Sequence, residues 1–431
     1  MKNKFTAVFF MMLVLLIKTY AGTADNKEIV NPAHLNHLYE EINAGGRDMA
    51  IIHIYSDYPD YKWVGDDDEG IACVDDAARA LIFYLQYYKI NGDEQYLVKV
   101  KKLTEFLLYM QADNGFFYNF IWPDYTKNKT YRTSVADANW WTWRALWALT
   151  DAYDVFTVKD AAYAAQIKQT MEKTIDAIKK IIPEKKEVKK LNNYIRPDWL
   201  PLGSAADQAS IIVMALSNYC TINDDPVIRK YMCDLCDGLL LMQEGGGFVF
   251  PYGAILSWEN SWHAWGSSQS YALLKAYEIT KDVKYLGAAI DEINGFYNYL
   301  LRENFTSEFS LKKVDSRNMI TDEKRFPQIA YGIRPMIYAM ITAAEIKSDT
   351  SYAVQAAKAA GWFFGNNPAK KAMYDTKTGV CFDGILSTTE LNKNSGAEST
   401  IEALLSLLMI QNNHTSLNYI HKKILNNQQG K

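Results

Sequence analysis

From about residue 75 onward the chain repeats one hydrophobic rhythm. Apolar positions recur every three and four residues over 75–90, 94–112, 136–156, 160–182, 205–221 and 226–242. The same spacing returns over 265–281, 283–303, 328–347, 351–364, 396–411 and 415–426. That period puts the apolar side chains on one helical face, so twelve helices are predicted. Tight turn signals such as Asn91-Gly92-Asp93, Asn223-Asp224-Asp225-Pro226 and Lys281-Asp282 join them in six pairs. Longer stretches, 113–135, 183–203, 243–264, 304–327 and 365–395, separate the pairs. No strand-rich region and no interdomain linker interrupts the pattern. Ahead of it come a short amphipathic helix near 34–42 and an irregular, aromatic and acidic stretch, 55–70.

The first helix of each pair opens on a related cluster. Taking Asp75, Asp137, Asp207, Gln269, Arg334 and Glu398 as markers, the spacings are 62, 70, 62, 65 and 64 residues. A period that regular implies one supersecondary unit used six times. The first helices carry few charges beyond their starts; 211–216 and 401–409 look buried all round, as an inner ring requires. The expected fold is an all-α closed (α/α)6 toroid, one domain over 22–431, with all six inner-helix starts on one rim.

Composition narrows the partners. Net charge is −4 with no long basic run, which argues against nucleic acid. Tyr (29) and Trp (11) are abundant, and several fall in the long loops, where aromatic faces suit sugar rings. Residues 1–21 read as a secretory signal, with Lys2 and Lys4 ahead of an apolar run over 7–17 and Thr19-Tyr20-Ala21 at the cleavage point. That run is too short to span a bilayer. With no cysteine near the cleavage point, the expectation is a periplasmic or secreted protein with no membrane insertion once the signal is removed. Of five cysteines, Cys233 and Cys236 read as core thiols. Cys73 and Cys381 lie in the first and last pairs, and closure should bring their loops close enough for a disulfide.

The chemistry gathers at the helix starts. Asn394-Ser395-Gly396-Ala397-Glu398 leads into a strongly apolar helix with Glu398 in its first turn, near the positive end of the dipole. Capping is the plain alternative, because Ser395 or Ser399 with Glu402 resembles a capping box. Asp75 and Asp76 open the first inner helix; one is expected as N-cap and the other facing the rim, with Arg79 placed to ionise a neighbouring carboxylate. Asp137 starts the second inner helix beside Trp140 and Trp141. Glu259, Trp262, His263 and Trp265 crowd the loop before the fourth. Asp66, Asp67, Asp68 and Glu69 read as a solvated loop, and neither a metal site nor a cofactor is expected.

Several of these segments form recognisable signatures. Cys73-Val74-Asp75-Asp76-Ala77-Ala78-Arg79-Ala80-Leu81-Ile82 resembles the C-x-D-D-N-A-R-A-L-I motif of a bacterial six-hairpin family associated with glycosyltransferases and mannoside-processing enzymes. Arg144-Ala145-Leu146-Trp147-Ala148-Leu149, Trp362-Phe363-Phe364-Gly365-Asn366-Asn367, the segment from Tyr374 through Asp383 to Gly384, and Asn392–Thr400 are similar to its later motifs. Ala77 departs from the usual Asn and Ala136 from the usual acid. The resemblance implies a six-hairpin toroid acting on carbohydrate, with Asp383 among the substrate-binding positions. The chain also echoes endoglucanases in which a late Glu is the general acid.

Glycoside hydrolysis needs one protonated and one ionised carboxylate. Glu398 is the expected acid, Asp75 or Asp76 the base, and Asp137 the second choice for base. Trp140, Trp141, Trp262 and Trp265 should wall the pocket. Two other readings stand beside this one. A polysaccharide lyase would use His263, Tyr331 and Arg334, and a glycan-binding toroid would need no catalysis at all.

Overall fold

A computed structural model describes residues 28–183 and 185–426, so the signal sequence expected over 1–21 lies outside the described residues. Helix α1 (Ala33–Leu38) precedes the pairs. The pairs are α2 (Val74–Asn91) with α3 (Glu94–Met110), α4 (Trp140–Lys159) with α5 (Ala161–Ile181), and α6 (Ala206–Ile222) with α7 (Pro226–Leu241). Next come α8 (Gln269–Thr280) with α9 (Val283–Glu292), which runs through a π turn into α10 (Asn298–Arg302). The last are α11 (Arg334–Lys347) with α12 (Thr350–Ala360), and α13 (Ala397–Asn412) with α14 (His414–Tyr419).

The inner helices form a closed ring: α2 packs on α4, α4 on α6, α6 on α8, α8 on α11, α11 on α13, and α13 back on α2. Sequence explains the layering. Nearly every residue of α6 and α13 is buried, whereas α5 buries only the stripe running from Tyr163 through Ile167 and Met171 to Ile178. A helix apolar all round is stable only inside, and an amphipathic one only as a cover.

Capping separates the two layers. Every outer helix starts on an Asp or Asn whose side chain takes a first-turn amide: Asp93, Asp160, Asp225, Asp282, Asp349 and Asn413. Of the inner helices, only α2 and α4 have a side-chain cap of their own, from Cys73 and Asn139. α6, α8, α11 and α13 have none. Their first amides turn to other groups on the rim: those of Ala206 and Asp207 donate to the Ser257 carbonyl, and that of Ala397 to the Ile54 carbonyl.

The pattern of apolar positions missed the strands. The 55–64 and 188–197 segments, 243–255, and the three-stranded unit of Ser261–His263, Glu308–Val314 and Arg317–Lys324 are antiparallel hairpins. They decorate the rim without altering the helical ring. Another hairpin, Tyr39–Ala44 with Arg47–Ile52, takes the second half of the helix expected near 34–42.

Candidate active site

Where the first and last pairs meet, one guanidinium gathers four acids. Arg79, buried on α2, donates to Asp76 at 2.6 Å, to Glu402 at 3.0 Å and to Glu398 at 3.1 Å, and lies 3.7 Å from Asp75. Arg144 of α4 pairs with Asp75 and donates to the hydroxyl of Tyr331. Arg334 of α11 pairs with the other oxygen of Glu402, which is completely buried. The three guanidiniums lie 5.0–5.5 Å from the centre of the Tyr331 ring. Three cations and four carboxylates thus share one interior cluster, which is tolerable only because each charge faces an opposite one.

The acids differ in setting. Asp76 is held by Arg79 and by the Cys73 thiol, which donates to its carboxylate at 3.1 Å and takes its amide at 3.3 Å. The N-cap of α2 is therefore Cys73 and neither aspartate. Burial raises Asp76 above the usual carboxylate range, with Arg79 opposing. Asp75 is half-buried, and its Oδ1 is buried without a partner. Glu398 opens into the mouth of the ring with its side chain 45% exposed, the most open of the four. Enclosure by the rim still dominates its carboxyl and pushes it upward; Arg79 pulls it down, and the charges of Asp76 and Glu402 push it up again.

Glu402 does not complete a capping box. The N-cap of α13 is Gly396, and Glu402 points into the ring to bind two arginines. Asp383 supplies the missing cap, accepting from the Gly396 amide at 2.8 Å and the Ser399 hydroxyl at 2.6 Å. Its contacts hold the first turn that carries Glu398.

Several expected members lie elsewhere. Asp137 is exposed, and among the described residues its carboxylate bonds only to the Ala138 amide. Trp262 is a core residue stacked on Phe309 and met edge-on by Phe296, and Trp141 is buried with its indole N–H on the Phe117 carbonyl. Trp262 lines a separate small hollow with Trp265, Phe305 and Met336. Glu259 is anchored through its backbone, whose carbonyl receives Arg196 at 2.6 Å. Cys73 and Cys381 are free thiols. Their segments do converge on one strand, since Ile54 packs on Cys73, and Ser395, which accepts the Cys381 amide, donates its own amide to Ser56.

Across the ring, His263 accompanies the cluster. Its Nε2 meets Asp207 at 3.0 Å, its Nδ1 meets the Trp265 carbonyl at 2.7 Å, and its ring stacks on Trp265 with centres 3.5 Å apart. Trp265 in turn lies 6.0 Å from Trp140. Gly266 joins this platform to the arginines. It sits at φ +74°, and a Cβ there would come within 2.9 Å of both the Trp140 ring and the Tyr331 hydroxyl, so only glycine fits.

Sequence reading missed the roles of Glu402, Arg144 and Asp207. The signal was present: Glu402 and Arg144 are charges flanked by buried apolar residues on inner helices, affordable only with a buried partner.

No protein-family model matches the chain, and no curated protein matches it in sequence. Solved structures do. A cellobiose 2-epimerase from Bacillus thermoamylovorans superposes with a TM-score of 0.59 at 12% identity, over 87% of this chain and 94% of that one. A family 76 glycoside hydrolase (mannosidase) from Bacteroides thetaiotaomicron gives 0.56 at 13%, over 91% and 100%. A family 88 glycosyl hydrolase from Bacteroides vulgatus gives 0.52 at 9%, over 78% and 91%. The chain shares their six-hairpin toroid, as the sequence motifs implied.

Proposed function

We propose that the protein is an exported glycoside hydrolase acting on an oligo- or polysaccharide. The observation that carries this reading is the set of carboxylates gathered by Arg79 where the first and last pairs meet, with Glu398 open to the mouth of the ring. The names of the structural neighbours, epimerase and glycoside hydrolases alike, agree with work on sugars. Glu398 is the general acid: enclosure favours its protonated form, and it can pass that proton to a glycosidic oxygen. Asp75 is the better base of the pair, because Asp76 is sealed by Arg79 and Cys73 while the Asp75 side chain stays partly exposed. It would take a proton from water as that water attacks the anomeric carbon. Trp140 and Trp265 offer the stacking faces.

Product analysis on mannans, glucans and uronate polymers tests this. New reducing ends are expected, and Glu398→Gln should lower kcat by about 10²–10⁴-fold without loss of folding. Full activity in that variant would remove Glu398 from the mechanism. The lyase reading keeps one specific support: Tyr331 is bonded to Arg144 and ringed by three guanidiniums, the set that would deprotonate a uronate beside its neutralised carboxylate. Products with a 4,5-double bond would establish it, and an unbroken but isomerised sugar would exclude both readings.

A further inference from the structure

Beside the acid cluster lies a groove of opposite character. It has a volume of about 620 Å³ and is lined by Tyr58, Phe382, Lys371, Lys393, Thr388 and Thr389 among others, with no Asp or Glu in its lining. Tyr58 is 50% exposed. The Lys393 ammonium sits 5.2 Å from the centre of the Tyr58 ring, and neither lysine has a carboxylate partner among the described residues. In a protein of net charge −4, two unpaired lysines facing one hollow are a local reversal of sign.

The walls are built, and they lead to the site. Asn367, buried, donates to the Lys371 carbonyl at 2.7 Å. The Gly384–Ile385 strand pairs with Leu391–Asn392, which sets the backbone ahead of Lys393. The Tyr58 amide donates to the Asn394 side chain at 3.0 Å, so the hairpin and the last long loop are tied together. Phe382 lines the groove, and the next residue, Asp383, caps the turn bearing Glu398. A second hollow of about 420 Å³, with His37 and Tyr61 in its wall, shares Ala372 and Phe382 with the groove.

We infer that this groove is a subsite for a negatively charged sugar unit, so that the substrate is an acidic glycan with its anionic residue next to the bond processed at the rim. The inference rests on the reading of the rim as a sugar-processing site. Tyr58 and Phe382 supply apolar faces for a pyranose ring, the threonines supply hydroxyl partners, and the lysines supply point charges for a carboxylate or phosphate.

The test is calorimetric binding of neutral, uronate-bearing and phosphate-bearing oligosaccharides to the full-length protein and to Glu398→Gln. Wild type should prefer one acidic set by roughly tenfold or more, with the preference shrinking as salt rises. Lys371→Gln/Lys393→Gln should erase that preference and leave neutral binding unchanged, while Lys371→Arg/Lys393→Arg should retain it. Uronate-selective or phosphate-selective binding would identify the source of the charge. Equal affinity for neutral and acidic oligosaccharides, or a glutamine pair that binds acidic glycans like wild type, would overturn the proposal. The two readings fail separately. Cleavage of neutral glycans that ignores the lysines would sink the subsite alone, whereas lysine-dependent acidic binding with no bond cleavage would sink the hydrolase alone.

Discussion

Two buried glutamates, one in the fourth pair and one in the sixth, show how this fold handles interior charge. Glu402, on the inner helix α13, is completely buried between Arg79 and Arg334. Glu292, at the end of the outer helix α9, is equally sealed but meets only neutral donors, the Ile255 amide at 2.7 Å and the Ser270 hydroxyl at 2.5 Å. Burial therefore pushes Glu292 up to about 7. The contrast divides the molecule. The junction of first and last pairs is held by ions, and the wall immediately around Glu292 by neutral hydrogen bonds. The acids proposed for catalysis belong in the first region because its cations let several carboxylates coexist without all taking up protons.

Removing each glutamate tests that division. Glu402→Ala strands two buried guanidiniums, so chemical denaturation should show a loss of about 3–5 kcal/mol, with activity falling too. A loss below 1 kcal/mol would mean the arginines find other partners and the ionic junction is an illusion. Glu292 should behave oppositely. Its native carboxyl is raised, so its contribution is full below the unfolded value of 4.5 and is lost as pH climbs through that value to about 7. Wild type should lose roughly 3 kcal/mol across that window from this group, and Glu292→Gln should flatten the curve, matching wild type near pH 4 and exceeding it near pH 8. A wild-type curve that is flat from pH 4.5 to 7 would contradict the neutral character of the wall.

Smaller changes sharpen the picture. Ser270→Ala removes a donor from the ionised form of Glu292, so it should cost about 1–2 kcal/mol at pH 8 and much less at pH 4. Asp137→Asn is the control: exposed and outside the cluster, it should stay within about 0.5 kcal/mol of wild type and keep its turnover. A large activity loss there would return Asp137 to the site.

The ring was legible in the sequence because periodicity is a property of each helix taken alone, and six copies reinforced it. Glu398, Asp75, Asp76 and Arg79 were legible because charges at the starts of apolar helices stand out. The rest depended on what faces what. Trp262 and Trp265 are three residues apart on one loop, yet one is core and the other platform, because Trp262 lies on a strand turned towards Phe296 and Phe309. The strand unit of 308–324 was visible only as alternation, with Phe309 and Leu311 inward and their neighbours outward. Lone interior charges such as Glu402 pointed to a partner without naming it.

Closure of the ring also sets an order of events. Arg79 and Glu402 touch across 323 residues of chain. No local segment holds both, and the entropy of closing so long a loop must be met before their attraction is felt. The early pairs can condense as they are made, but their acids stay dispersed until α13 docks against α2. Assembly of the ionic cluster is thus a late checkpoint. A chain released before its last pair is in place holds all three arginines but only two of the four acids.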